Sequence, residues 1–219
     1  VTSTSLLYNS KIAVTENDDI KNIFTGRNIS VLDDILSLIS KYEPEYQNIL
    51  KYILMSILHL CKITDKHSNS QWPLWIPKTD CVEKNIIDIY TKKIRKFYKV
   101  IPFMKENYAN SQIVESYDML SPGKCLLMQK GSQLITEQDI PNDGVDLIIT
   151  DPPYLEQVLY SEYMQLYKPF LDLDYNLNDE IIVSSAPSRN KDKTDYFNLL
   201  NQVFNMCSHK LKPNHYLCL

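Results

Sequence analysis

One short segment of the sequence combines residue types that could do chemistry. This segment, called the Pro-Pro loop here, is Asp151-Pro152-Pro153-Tyr154. It directly follows residues 145–150, an apolar run that is typical of a buried parallel strand. In open α/β sheets, ligands bind at the carboxyl ends of the strands. The position of the Pro-Pro loop therefore predicts a binding site.

The residue types of the Pro-Pro loop suit an exocyclic amine. Two adjacent prolines make a stiff, extended turn that cannot enter a helix, so the Pro152 carbonyl stays free beside the Asp151 carboxylate. These two acceptors match the two hydrogens of an –NH2 group. Tyr154 adds a flat ring on which another planar ring can stack. A planar ring that bears an amine describes adenine or cytosine.

The reaction that fits such a site is methylation of the amine by S-adenosylmethionine (AdoMet). Hydrogen bonds to both amine hydrogens favour a nitrogen lone pair directed at the methyl group, and positioning supplies much of the rate. In a duplex the amine lies inside the base pair, so the base must be flipped out of the helix.

The second half of the chain alternates strands and helices. Residues 125–128 and 145–150 predict two buried strands, and a final strand is predicted at 215–219. Helices are predicted at about 157–171 and at 196–209. This alternation predicts an α/β fold with a doubly wound parallel sheet.

The first half is predicted to be mainly helical, up to residue 122. Helices are predicted at 29–39, from Pro44 to Cys61, and at 82–100. The predicted helix at 82–100 contains only two acidic residues, Glu83 and Asp88, but six basic residues. The basic residues are Lys84, Lys92, Lys93, Arg95, Lys96 and Lys99. A solvated helix face explains this pattern as well as contact with nucleic-acid phosphates does. For the second interpretation the candidates are Lys92, Lys93, Arg95 and Lys96, with Trp72 and Trp75 in a nearby extended loop.

The Pro-Pro loop and its surroundings resemble a known family. Asp-Pro-Pro-Tyr is similar to the catalytic motif of the DNA amino-methyltransferases, most of which act on adenine. Residues 146–154, 158–163, 180–183 and 211–213 resemble the multidomain bacterial and archaeal modification methylases of that group. The resemblance extends from about residue 25 and is densest at 125–219.

The resemblance implies an AdoMet-dependent enzyme that methylates a flipped-out adenine in DNA. It implies that Asp151 and the Pro152 carbonyl bind the amine, that Pro153 completes the turn, and that Tyr154 stacks on the base. Tyr160 and Glu162 are expected to line or brace the same pocket. The implied fold is a partial Rossmann-like sheet of the class I methyltransferases at 123–219, preceded by the helical region at 1–122.

The cofactor half of such a site is incomplete in this sequence. Gly131-Ser132 stands where relatives carry a Gly-Asp pair beside the cofactor, and Thr150 and Asp151 would border the cofactor at the strand end. The four glycines are Gly26, Gly123, Gly131 and Gly144, so no Gly-x-Gly turn exists. We therefore expect a missing portion of the same protein, or a partner chain, to supply the glycine-rich loop. Exposed strand edges would also favour pairing, including a homodimer.

Three alternatives remain open from the residues. The substrate could be a cytosine amine or RNA, since nothing in the sequence names the base. The chain could be a non-catalytic subunit in which Tyr154 grips a base without AdoMet. It could also be a structural α/β domain with an incidental proline turn.

Bulk composition limits the remaining functions. The 219 residues carry a net charge of −4, which neither favours nor excludes nucleic acid, because a local basic surface suffices. No apolar run approaches the ~20 residues that cross a bilayer, and no secretory signal is visible, so a soluble cytoplasmic protein without a membrane partner is expected. The chain lacks an initiator Met, which favours a piece of a longer protein. The five scattered cysteines predict reduced, mostly buried thiols and no metal site.

Overall fold

The computed structural model describes residues 6–7, 18–65, 80–171 and 175–219, and every structural statement below concerns these ranges. They form a mixture of helices and strands, with the strands in small two-stranded sheets. The chain divides into two compact units. The first unit contains the described residues up to Phe103 together with Tyr160–Tyr175, and the second contains Met104–Leu159 and Asn176–Leu219. The sequence-based boundary at residue 122 falls inside the second unit.

Three long helices build most of the first unit. They are α1 (Gly26–Ile39), α2 (Pro44–Cys61) and α3 (Ile86–Tyr108), and α3 continues past Phe103. The helices predicted at 29–39 and 44–61 are thereby confirmed. The Thr25 hydroxyl caps α1 by accepting the Asn28 N–H at 3.1 Å, and Pro44 occupies the first turn of α2, where its missing N–H costs nothing.

The helix predicted at 82–100 is wrong at both ends. Val82 belongs to a two-residue strand, β2 (Cys81–Val82), which pairs antiparallel with β1 (Thr64–Asp65). The helix starts only at Ile86 and runs through Pro102 to Tyr108. The Thr64 hydroxyl donates to the Val82 carbonyl at 3.3 Å, which favours strand over helix at that position.

A buried apolar core holds the first unit together. Leu32, Leu54 and Leu58 are fully buried within it, and the rings of Phe24 and Phe170 meet edge to face at 5.8 Å. One polar side chain ties the helices together: Asn28 Nδ2 donates to the Cys61 carbonyl at 2.9 Å and more weakly to the Lys84 carbonyl at 3.4 Å. Burial of this amide is tolerated because it is hydrogen-bonded.

The single helix predicted at 157–171 is two short helices instead. They are α4 (Tyr160–Met164) and α5 (Lys168–Leu171). Pro169 explains the break, since it has no N–H and cannot continue a helix begun before it. Both short helices belong to the first unit, where Leu166 and Phe170 join the core.

The second unit contains two parallel strand pairs and one long helix. Strand β3 (Gln112–Val114) pairs with β4 (Lys124–Leu126), and β5 (Val145–Ile149) pairs with β6 (Leu211–Cys218). Helix α6 (Lys193–Lys210) runs directly into β6. Strands at 145–149 and near the end of the chain, and the helix at 196–209, are confirmed.

The strands are not buried as the sequence predicts. Leu127 just after β4 is 68% exposed, Leu147 and Ile149 in β5 are 50% and 77% exposed, and Tyr216 in β6 is 76% exposed. Parallel sheets normally have both faces covered. Each parallel pair stands in a separate two-stranded sheet, and no segment within the described ranges covers these side chains.

The prediction that the cysteines are free thiols is confirmed, but the prediction that most of them are buried is wrong. All five cysteines are free thiols. Cys61 and Cys207 are buried, and burial raises the pKa of Cys61 to about 12. Cys81, Cys125 and Cys218 are exposed and lie in strands of the small sheets. None of the described helices combines the length and the apolar character needed to cross a membrane.

Candidate functional site

The Pro-Pro loop lies at the carboxyl end of β5. The Thr150 N–H donates to the Cys218 carbonyl at 3.0 Å, so the pairing with β6 continues up to the residue before Asp151. Asp151 is exposed, and Tyr154 is 61% exposed. The loop is therefore held by a parallel strand pair at its start, while the side chains of Asp151 and Tyr154 are exposed.

A turn that is tied to α6 positions the start of β5. The Asp143 N–H donates to the His209 carbonyl at 3.0 Å, and Lys210 Nζ donates to Asn142 Oδ1 at 2.8 Å. A Cβ at Gly144 would lie 2.9 Å from the Pro141 carbonyl, so glycine is required there. The turn at 141–144 thus connects the end of α6 to the strand that leads to the Pro-Pro loop.

The two acceptors predicted for an amine are present on the loop. No residue in the described ranges donates to the Pro152 carbonyl or to Asp151 Oδ2. Asp151 Oδ1 accepts the Tyr154 hydroxyl at 2.6 Å. This bond fixes the tyrosine ring beside the carboxylate, so a planar group that stacks on Tyr154 would have its edge near Asp151.

The three carbonyls that follow Pro152 are occupied. The Tyr196 hydroxyl donates to the Pro153 carbonyl at 2.5 Å, and the Gln157 N–H donates to the Tyr154 carbonyl at 2.9 Å. Leu155 has a positive φ of 47°, and its carbonyl accepts the Val183 N–H at 3.2 Å. A leucine in this left-handed region is strained, and the surrounding hydrogen bonds hold it there.

Sequence reasoning missed Tyr196 and Val183 as supports of the loop. Tyr196 lies 43 residues from Pro153, and no local pattern pairs the two. One signal was available: Asp192 and Asp195 have the spacing of a helix start, which places Tyr196 in the first turn. The structure forms this capping box. Asp192 Oδ1 accepts the Asp195 N–H at 2.9 Å, and Asp195 Oδ2 accepts the Asp192 N–H at 3.0 Å.

The cap at Asp192 makes the stability of α6 depend on pH. The N–H groups of Asp195 and then Thr194 bond the Asp192 carboxylate and lower its pKa. A lowered pKa in the folded state stabilises the protein above the ordinary Asp value of about 3.9, and this stabilisation is lost as the pH falls through the folded-state pKa. We expect Asp192→Ala to lower the Tm at pH 7 and to have a shrinking effect below about pH 4.

Circular dichroism melts of Asp192→Ala at several pH values measure this effect. Asp118→Ala is the control, because Asp118 is exposed, lies in a short 3-10 helix and accepts no capping bond in the described ranges. A Tm difference for Asp192→Ala that stays the same from pH 7 to pH 3 would contradict the role of the charged cap.

The predicted cofactor residues Gly131 and Ser132 lie at a separate turn of the second unit. Ser132 is exposed and begins a 3-10 helix, Ser132–Leu134. The nearby Asp139 carboxylate accepts hydrogen bonds from Lys130 Nζ at 2.5 Å and from the Thr136 N–H at 2.7 Å. The bond from Lys130 and, to a smaller extent, those from Thr136 lower the pKa of Asp139 to about 2. This carboxylate is already paired, so it does not replace the aspartate that Ser132 lacks.

Tyr160 and Glu162 lie on α4, in the first unit. Tyr160 is 56% exposed, whereas Glu162 is only 5% exposed. Glu162 is therefore not a surface helix residue. Their role in a base pocket stays a prediction.

The basic residues predicted to contact nucleic acid divide between two faces of α3. Lys92, Arg95 and Lys96 are exposed and share one face at helical spacing. Lys92 pairs with Asp88 at 2.6 Å. Lys93 is half-buried on the side of His59. Burial lowers the pKa of His59, and the positive charges of neighbouring lysines, including Lys93, lower it further. Trp72 and Trp75 lie outside the described residues.

Similarity to known proteins and metal binding give no further clue to the function of this chain. No protein-family model, curated protein or solved structure matches this chain. Within the described ranges, no three His, Cys, Asp or Glu side chains are grouped as a metal site would require. Functional inference therefore depends on the geometry of the Pro-Pro loop.

Proposed function

We propose that this chain provides the base-binding loop of an AdoMet-dependent DNA adenine methyltransferase. The observation that supports this function best is the pair of open acceptors, Asp151 Oδ2 and the Pro152 carbonyl, at the carboxyl end of a parallel strand. Tyr154 stands beside them, with its ring exposed and its hydroxyl bonded to Asp151. The parallel β5–β6 pair would be part of a Rossmann-like sheet.

In this proposal the loop holds and polarises the amine of a flipped-out adenine. One amine hydrogen bonds the Asp151 carboxylate, and the other bonds the Pro152 carbonyl. Both bonds raise electron density on the nitrogen and orient its lone pair. Asp151 is also placed to accept the proton that the nitrogen loses on methylation. Tyr154 stacks on the base and keeps water from its face.

The residues of this chain do not fit AdoMet by themselves. The cofactor would supply the methyl group, but no two glycines form the close turn that its binding needs. Ser132 offers no carboxylate, and Asp139 is paired with Lys130. The chain's own residues therefore account for the amine side of the reaction, and the cofactor side requires another segment.

The uncovered strands support a further segment that carries the glycine-rich loop. A cleft of about 880 Å³ is lined by residues of both β4 and β5, including Leu126 and Leu147. The apolar side chains of these strands are exposed, and isolated two-stranded sheets are marginally stable. A missing portion of the same protein, or a partner chain, would complete the sheet by covering these faces. A second copy of the chain could cover the same faces but would bring no Gly-x-Gly turn.

A non-catalytic nucleic-acid-binding subunit is the second candidate. The missing cofactor contacts favour it, and so does the exposed basic face of Lys92, Arg95 and Lys96. The two candidates differ in one property, since a pure binding subunit does not hold AdoMet. A cytosine amine, in DNA or RNA, would fit the same two acceptors.

Cofactor titration and product analysis test the proposal. AdoMet is titrated calorimetrically into the chain assembled with the segment that carries the glycine-rich loop, and tritiated AdoMet is then incubated with this assembly and unmethylated DNA. We expect tritium in DNA as N6-methyladenine after digestion to nucleosides. Label in N4-methylcytosine would change the base. Binding of DNA with neither AdoMet binding nor label in the product would reject the enzyme in favour of the binding subunit.

A further inference from the structure

Tyr196 makes a long-range contact with the Pro-Pro loop. It lies in the first turn of α6, is only 6% exposed, and donates its hydroxyl to the Pro153 carbonyl at 2.5 Å. Its own N–H bonds the Asp192 carbonyl at 3.1 Å, within the capped turn of α6. The hydroxyl is therefore presented by a fixed element.

This contact matters because of which carbonyls it leaves open. From Pro152 to Leu155 the loop offers four consecutive carbonyls, and three of them accept hydrogen bonds from Tyr196, Gln157 and Val183. Only the Pro152 carbonyl has no donor within the described ranges. Among these four carbonyls, the open one is therefore that of the residue next to Asp151.

We infer that Tyr196 is the positioning residue for this acceptor. By holding the Pro153 carbonyl, it fixes the peptide between Pro153 and Tyr154. Because the proline ring locks φ of Pro153, this also restrains the preceding peptide, whose carbonyl is that of Pro152, beside the Asp151 carboxylate. The inference rests on the proposed function, because it assigns the open carbonyl to the substrate amine. Tyr196 acts through the loop and does not touch the base.

The surroundings of Tyr196 permit a clean substitution. Its ring packs edge to face against Phe197, with centroids 5.2 Å apart. Phenylalanine keeps this ring contact and removes only the hydroxyl, so Tyr196→Phe leaves the Pro153 carbonyl without its donor. The fold should tolerate this change, because one neutral hydrogen bond makes only a small net contribution to stability.

The experiment compares Tyr196→Phe with Tyr216→Phe. Tyr216 lies in the same unit and is 76% exposed, and its hydroxyl has no hydrogen-bond partner in the described ranges. We expect Tyr196→Phe to lower kcat for methyl transfer to unmethylated DNA about 10- to 100-fold, because small misplacements of reacting groups are costly. The KM for DNA should stay within about two-fold, because Tyr196 does not contact DNA in this proposal.

A second readout follows the loop itself and does not need activity. With proline labelled at its carbonyl carbon, the NMR signal of Pro153 should shift in Tyr196→Phe and stay unchanged in Tyr216→Phe. An unchanged Pro153 signal, or a kcat equal to that of Tyr216→Phe, would overturn the inference. If the unaltered chain, assembled with the segment that carries the glycine-rich loop, shows neither AdoMet binding nor methyl transfer, the proposed function fails, and the Pro153 signal still decides whether Tyr196 holds the loop.

Discussion

Asp151→Ala is expected to lower kcat for methyl transfer about 100- to 1,000-fold, the effect of removing one preorganised polar group from an active site. The alanine removes both carboxylate oxygens, so the amine keeps only the Pro152 carbonyl as acceptor. It also frees the Tyr154 hydroxyl, which now bonds Asp151 at 2.6 Å. Incorporation of tritium from AdoMet into unmethylated DNA measures this loss.

Two companion variants separate chemistry from folding. Asp151→Asn keeps one acceptor oxygen, so its activity should lie between those of the alanine variant and the unaltered chain. Glu115→Ala removes an exposed carboxylate from the same unit and should leave activity unchanged. Asp151 is exposed, so none of the three should shift the Tm by more than a few degrees. Full activity of Asp151→Ala would mean that the proline turn is incidental.

Local patterns predicted the long helices and the place of the loop. Helices α1, α2 and α6 have apolar residues at helical spacing and recognisable starts, such as Pro44 and the box of Asp192 and Asp195. The Pro-Pro loop could be placed because a continuous apolar run precedes it. These features depend on neighbours within a few residues, which is the range that sequence patterns report.

Tertiary context explains what the sequence did not predict. The apolar run of β5 predicts burial, but burial also needs covering segments, and Ile149 is 77% exposed without them. Glu83 and Lys84 fit a helix locally, yet the pairing of β2 with β1 delays the start of α3 to Ile86. The support of the loop by Tyr196 joins residues 43 positions apart, which no local pattern encodes.

The amine side and the cofactor side of the proposed site differ in what the chain supplies. The residue types of the Pro-Pro loop predicted two open acceptors, and the hydrogen bonds of Tyr196, Gln157 and Val183 occupy the three carbonyls that follow Pro152. The cofactor side lacks such support, because the sequence has no Gly-x-Gly turn and the Asp139 carboxylate is paired with Lys130. The residues of this chain therefore support the amine side of the proposed site more than the cofactor side.

The largest effect on stability is expected from Leu58→Ala in the core of the first unit. Leu58 is fully buried on α2, among the apolar side chains of the core. Removing a buried leucine side chain loses its burial free energy and leaves a cavity, which together cost about 2–5 kcal/mol. Urea denaturation followed by far-UV circular dichroism measures the change in unfolding free energy.

Leu38→Ala is the matched control, because it makes the same substitution on α1 at a site that is 54% exposed. It should cost less than about 1 kcal/mol, since little apolar surface returns to water. Hydrogen exchange of peptides from α2 should accelerate in Leu58→Ala and stay unchanged in Leu38→Ala. Equal losses in the two variants would contradict the core described here, because only one of the two leucines is packed within it.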